Sequence, residues 1–247
     1  MTIQGDADIA AVAAIAADPS RARILLALGD GRALPASVLA DEASVAASTA
    51  SEHLSRLVEG GLLKVERHGR HRCFRLASAD VAEMMEALAR LASPAPISSL
   101  RQGTRVAAVR SARTCYDHLA GRLGTGIMGA LLEQGLLTGG DGLFSDGDRL
   151  SAPGSEVDYR LTPDGVQWLS ELGIDVSSLP RRRPLIRYCV DWSEQHHHLA
   201  GSLGAALCSR LFELGWIKRA PSGRAVFVTP EGVSGLRESL GLDFSQT

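Results

Sequence analysis

Two groups of residues in this 247-residue sequence have the types and spacing to do chemistry. The first lies within residues 45–75, where Ser48, Thr49, Ser51, His53 and Arg56 precede a cluster of Arg67, His68, Arg70, His71 and Arg72. Small hydroxyls and an imidazole at the start of a helix can enter the major groove and hydrogen-bond to base edges and phosphates. Arginines on an adjoining hairpin suit the flanking backbone or the minor groove. Residues 45–75 hold six positive side chains (Arg56, Lys64, Arg67, Arg70, Arg72, Arg75) and three negative (Glu52, Glu59, Glu66). That net +3 leaves −5 for the rest of a chain whose formal charge is −2. A charged run alone is more often a solvated surface, but joined to the helical pattern described below it favours a DNA reader.

The second group comprises Cys115, Asp117 and His118, with Cys189, Asp191, His196, His197 and His198 further on. These are ligand types for zinc or nickel. Two arguments weigh against a site. His118 and His198 each precede Leu-Ala-Gly, which suits a structural hydrogen bond, and three adjacent histidines cannot all face one ion from one helical turn. The sequence is therefore assigned no cofactor and no metal, with Cys115, His118, Cys189, His196, His197 and His198 kept as candidate ligands.

Residues 124–129 fit the pattern GxGxxG. A dinucleotide fingerprint follows a buried strand, whereas the preceding TCYDHLAGRL reads as helix, so close helix packing is the better account of the small residues. No G-x-S-x-G elbow or activated cysteine is evident. The expectation is a protein that is not an enzyme; a small enzyme with an accessory DNA-binding domain is the alternative.

The elements that position the first group are legible in the spacing. Ile9, Val12, Ala13 and Ala16 make one helical stripe, and Asp18-Pro19 can cap and open a second helix carrying Ile24, Leu25 and Leu28. Val38 and Leu39 mark a third. After a turn at residues 43–45, Leu54, Leu57 and Val58 mark a fourth, stopped by Gly60-Gly61. From Leu62 the period falls to about two, with Gly69 in the middle, which predicts a hairpin with Cys73 as an apolar filler. Val81, Met84, Met85, Leu88 and Leu91 form a final stripe. This is the winged helix-turn-helix plan.

Residues 93–99, SPAPISS, read as a linker. Beyond it the sequence repeats itself: HLAGRLG at residues 118–124 returns as HLAGSLG at 198–204, and LTPDGV at 161–166 returns as VTPEGV at 228–233. The spacing is 80 residues at the first signature and 67 at the second, so the first copy carries a loop 13 residues longer, rich in glycine and acids. Each copy reads as two helices, a short β element and a last helix. The predicted fold is mainly α with small β wings: a winged helix-turn-helix over residues 1–92, then two repeated α+β units, 100–180 and 181–247, that could themselves be winged-helix-like. Trp168, Trp192 and Trp216 all lie in this half, where they could line a ligand cleft or simply pack a core. Arg181, Arg182 and Arg183 read as a solvated linker, with an auxiliary DNA contact as the alternative.

Composition excludes other classes. With 45% hydrophobic and 22% charged residues the chain can bury a core. A charge of −2 argues against a polybasic protein, and only 5 Phe, 3 Trp and 3 Tyr argue against base-stacking RNA platforms. Four separated cysteines suit reduced thiols, and no apolar run reaches the roughly 20 residues of a membrane span. A cytoplasmic protein with no membrane partner is expected.

The segment STASEHLSRLVEGGLL at residues 48–63, followed by RHGRHRCFRL at 67–76, resembles the recognition helix and wing of ArsR/SmtB-type bacterial repressors. The resemblance covers about 85 residues. It implies a homodimer paired through its first and last N-terminal helices on double-stranded operator DNA with an inverted repeat. It also implies DNA contacts by Ser48, Thr49, Ser51, His53 and the basic wing. The cysteine pair of that family's metal sensors is absent from the helix before the recognition helix, and their Asp-with-His pattern is absent from residues 80–92, which hold Asp80, Glu83 and Glu86 but no histidine. The duplicated half is an extension beyond the minimal plan. A regulator, most simply a repressor, tuned by a small-molecule or metal signal in the C-terminal half is the expected function; a metal sensor using the Cys and His of the repeats is the alternative.

Overall fold

The computed structural model describes residues 6–69, 71–93, 96, 99–144, 158–221 and 223–244. The chain forms two compact units, residues 1–82 and 83–247.

In the first unit, Asp8 caps α1 (Ile9–Ala16), accepting from the Ala11 amide. Asp18 caps α2 (Pro19–Ala27) by accepting from the amides of Ser20 and Arg21, with Pro19 in the first turn where no amide is required. The short β1 (Leu34–Pro35) leads to α3 (Ala36–Ala43), which ends on Ser44 in the left-handed conformation, φ 58°. That turn aims α4 (Ala47–Glu59). Ala50, Leu54 and Leu57 bury the inner face of α4, with Ile24, Leu25, Leu28 and Leu39 buried on α2 and α3. β2 (Leu63–His68) and β3 (His71–Leu76) form the expected hairpin, and β3 also pairs with β1 in a sheet ordered β1-β3-β2. Cys73 is buried on this hairpin, as a filler should be.

α5 (Ala79–Leu91) spans the division between the two compact units, which falls after Ala82. Residues 94, 95, 97 and 98 of the expected linker lie outside the described residues, and α6 (Leu100–Ser111) follows.

The second unit then runs twice through one order of elements. β4 (Arg113–Cys115) and β5 (His118–Ala120) form a hairpin, followed by α7 (Gly121–Glu133), the strand pair β6 (Leu137–Thr138) and β7 (Arg160–Leu161), and α8 (Pro163–Glu171). β8 (Arg187–Val190) and β9 (His197–Ala200) form the second hairpin, followed by α9 (Gly201–Glu213), the pair β10 (Ile217–Arg219) and β11 (Val226–Val228), and α10 (Pro230–Leu240). Thr162 and Thr229 cap α8 and α10 alike, each accepting from the amide three residues on. Residues 145–157 of the longer loop lie outside the described residues.

One expectation is corrected here. TCYDHLAGRL does not begin as helix: residues 113–120 are a tight hairpin, with Tyr116 turning at φ 59° and helix starting only at Gly121. Both strands are buried along their whole length, so they lack the alternation that marks a half-exposed strand. The two copies also share one core, in which Leu123, Ile127 and Leu131 of α7 join Leu203, Leu207 and Leu211 of α9.

Candidate functional site

α4 offers its outer face to solvent. Ser48, Thr49, Ser51, Glu52 and Arg56 are exposed, whereas Ala50, Leu54 and Leu57 on the opposite face anchor the helix. No side chain caps the first turn of α4, so its leading amides remain available to an oxygen ligand such as a phosphate. His53 sits differently from its neighbours. It is half-buried, with Nε2 3.9 Å from the Asp18 carboxylate that caps α2. Asp18 is held below the usual carboxylate range chiefly by the Arg21 amide, with His53 adding to the effect against burial. His53 is thus placed to tie α4 to the start of α2.

On the wing, Arg67 and Arg72 are directly opposed in the β2–β3 register, and both are exposed. Like charges facing across an antiparallel pair are destabilising, so this position gains from an anion. The Arg72 guanidinium lies over the Phe74 ring at 5.1 Å, which orients it. Glu66 pairs with Arg75 on the same hairpin. Arg70 lies outside the described residues, as do the side chains of His68 and His71.

The six candidate ligands of the C-terminal half separate into two groups. Cys115, His118, Cys189 and His198 each present a ligand atom, all within 4.8 Å of one another. His196 is exposed in an isolated bridge with Leu143, and His197 is committed elsewhere: its Nδ1 hydrogen-bonds the Tyr159 hydroxyl at 2.7 Å and its ring stacks on Tyr188 at 4.1 Å.

The cluster follows from strand register. Cys115 pairs with His118 across β4–β5, and Cys189 pairs with His198 across β8–β9. The two hairpins pack on each other through β5 and β9, which brings the His118 and His198 rings to 5.2 Å. Glycines permit the approach. A Cβ on Gly124 would meet the Leu119 carbonyl oxygen at 2.5 Å and the His198 Cβ at 3.4 Å; one on Gly204 would meet the Leu199 oxygen at 2.5 Å and the His118 Cβ at 3.3 Å. The GxGxxG stretch lies inside α7, so its first glycine serves close packing.

Carboxylates stand behind both histidines. His118 Nδ1 is 3.2 Å from Asp117, whose other oxygen accepts from Arg183 at 2.8 Å. His198 Nδ1 is 3.3 Å from Asp191 Oδ2, outside hydrogen-bonding geometry, and neither ring nitrogen of this fully buried histidine makes a hydrogen bond. Asp191 Oδ2 also accepts from the Gly121 amide at 2.7 Å and from Arg113 at 2.9 Å. Burial works against the Asp191 charge, but Arg113, His198 and the Gly121 amide together outweigh it and hold the carboxyl far below its usual range. Hydrogen bonding to Cys189, and then burial, push the Cys115 thiol up to about 12.

Arg113 ties this centre to α5. It is fully buried, lies over the Trp192 ring at 4.5 Å, and approaches Glu86 at 3.9 Å. Glu86, also buried, pairs with Arg224. Sequence spacing does not bring Glu86, Arg113 and Arg224 together: Glu86 and Arg224 lie 138 residues apart, and Glu86 falls off the apolar stripe of Val81, Met84, Met85, Leu88 and Leu91. Trp168 donates to the Ser239 carbonyl and Trp216 packs on Gly235, so these two serve α10, while Trp192 serves Arg113. No helix among the described residues is long and apolar enough to cross a membrane.

Comparison with known proteins gives the following. A family model described as "Helix-turn-helix domain" matches residues 16–66. A Bacillus subtilis (strain 168) protein described as the uncharacterized HTH-type transcriptional regulator YdfF is 41% identical over 226 residues, covering 91% of this chain and 93% of the relative. Among solved structures, reduced HlyU from Vibrio cholerae N16961 is 27% identical over 34% of this chain and 88% of its own, TM-score 0.32. The cadmium metal-sensor CMTR from Mycobacterium tuberculosis is 32% identical over 38% of this chain and 100% of its own, TM-score 0.28.

Proposed function

Because this chain belongs to the family of HTH-type transcriptional regulators, we propose that it is a homodimeric repressor, binding an inverted-repeat operator and tuned by a signal received in residues 83–247. The observation that carries the reading is the joint exposure of Ser48, Thr49, Ser51 and Arg56 on α4 and the opposed Arg67 and Arg72 on the wing. The α4 residues read the major groove and the wing arginines neutralise phosphate. His53 positions α4 through Asp18.

Dimer formation is supported by apolar residues left exposed on α1 (Ile9 and Val12) and on α5 (Leu88 and Leu91). The signal path is supported by α5 itself, which begins in the DNA-binding unit and carries Glu86 into the buried network around Arg113. The protein acts by binding rather than by catalysis. Gel shift against the promoter of its own gene tests the reading: wild type binds in a salt-sensitive manner, and Arg56→Ala and Arg72→Ala bind more weakly. Wild-type protein that shifts no upstream DNA would overturn it.

A further inference from the structure

We propose that Cys115, His118, Cys189 and His198 form a tetrahedral site for a single Zn2+ ion, which fastens the two hairpins of the C-terminal unit together. Three observations carry this. The four ligand atoms lie within 4.8 Å of one another, close to the edges of about 3.3–3.8 Å that tetrahedral zinc bonds of ~2.0–2.3 Å demand. Closing the difference takes side-chain adjustment within two packed hairpins. Next, His198 is wholly buried and its Nε2, the ring nitrogen turned away from Asp191, has no hydrogen-bond partner, a costly state for an imidazole unless an ion is its partner.

The third observation is the supporting shell. Each histidine has a carboxylate beside Nδ1, Asp117 for His118 and Asp191 for His198. That arrangement leaves Nε2 as the ligating atom on both rings and is the usual way of orienting a zinc-bound histidine. His118 Nε2 already points at the Cys189 sulfur, 3.6 Å away.

Two thiolates and two neutral imidazoles select zinc over hard cations, and the resulting centre is electrically neutral, as a buried site requires. Binding forms two Zn–S and two Zn–N bonds and releases the two thiol protons to solvent, with no change of oxidation state. Cys189, half-buried while the other three ligands are buried, offers the entry path.

The test uses full-length protein freed of metal with a chelator under reducing conditions and titrated with Co2+. One equivalent per chain is expected, with the intense visible bands of tetrahedral cobalt and a near-ultraviolet thiolate-to-cobalt band, all displaced by Zn2+. Cys115→Ser and Cys189→Ser abolish the thiolate band, while Cys208→Ser and His196→Ala retain it. Asp117→Asn keeps the stoichiometry but weakens zinc roughly 10- to 100-fold. X-ray absorption of zinc-loaded wild type, which depends on no variant folding, gives two sulfur and two nitrogen neighbours. Failure to take up cobalt, octahedral cobalt spectra, cobalt uptake unaffected in both cysteine variants, or a Cys115–Cys189 disulfide in the reduced, metal-treated protein would each overturn the proposal. None of these readouts involves DNA, so the site stands or falls separately from the repressor reading.

Discussion

Cys115 and Cys189 occupy the same register position in two different hairpins, each directly across from a histidine. Seventy-four residues separate the cysteines and eighty the histidines, because eight residues (190–197) join Cys189 to His198 whereas only two (116–117) join Cys115 to His118. Two unequal turns thus deliver one symmetrical set of side chains.

If that symmetry is real in energetic terms, the two packing glycines should behave alike. Gly124→Ala and Gly204→Ala each drive a methyl group against a carbonyl oxygen and should cost about 1–3 kcal/mol by denaturant unfolding. Gly129→Ala, on the same helix with nothing within 4 Å of its added Cβ, should be neutral or stabilise by up to about 1 kcal/mol.

The Glu86–Arg224 pair should be a point of failure. Removing one partner strands a buried charge, so Glu86→Ala should destabilise the C-terminal unit by about 3–5 kcal/mol. All three tryptophans lie in this unit, so their fluorescence reports its unfolding.

The same carboxylate sets a pH dependence. Burial opposes the Glu86 charge, but Arg224 and Arg113 outweigh it, so the folded-state pKa lies below the ordinary value of 4.5. A depressed carboxylate contributes stability that is complete above its unfolded pKa and is lost as pH falls through the folded one. Unfolding midpoints measured downward from pH 7 should therefore fall below about pH 5, and Glu86→Gln should flatten that decline.

Arg67 and Arg72 predict opposite effects on folding and on binding. Arg72→Ala relieves a like-charge pair and should leave stability unchanged or raise it by a few tenths of a kcal/mol, while DNA affinity falls. A variant that lost both together would point to a structural role for the arginine.

Much of the DNA-binding unit was legible because its signals are local. Asp18-Pro19 does open α2, Leu54 and Leu57 do face the core, and the period-two stretch from Leu62 is the wing hairpin. His53 belongs to the less legible part: its spacing places it among exposed residues of α4, and only the tertiary position of Asp18 draws it inward. In the C-terminal unit the helices announced themselves, but the hairpins did not, since β4, β5 and β9 are buried on both faces and show no alternation. A gapless alignment pairs His118 with His198 yet misses that Cys115 matches Cys189, because cross-strand pairing depends on turn length. Reading 196–198 as one helical turn also obscured the site. On strand β9 His197 and His198 point to opposite faces, one to Tyr159 and the other to the cysteines.

The central claim, that exposed residues of α4 and the wing read operator DNA, is tested most directly by the salt dependence of binding. Full-length wild type, Arg56→Ala and Arg72→Ala would be titrated by fluorescence anisotropy onto the promoter of the protein's own gene at several salt concentrations. A steep fall of log affinity with log salt is predicted for wild type, with each variant binding more weakly and the Arg72→Ala slope shallower by about 1. Wild-type binding that is absent, or variants with unchanged affinity and slope, would contradict it.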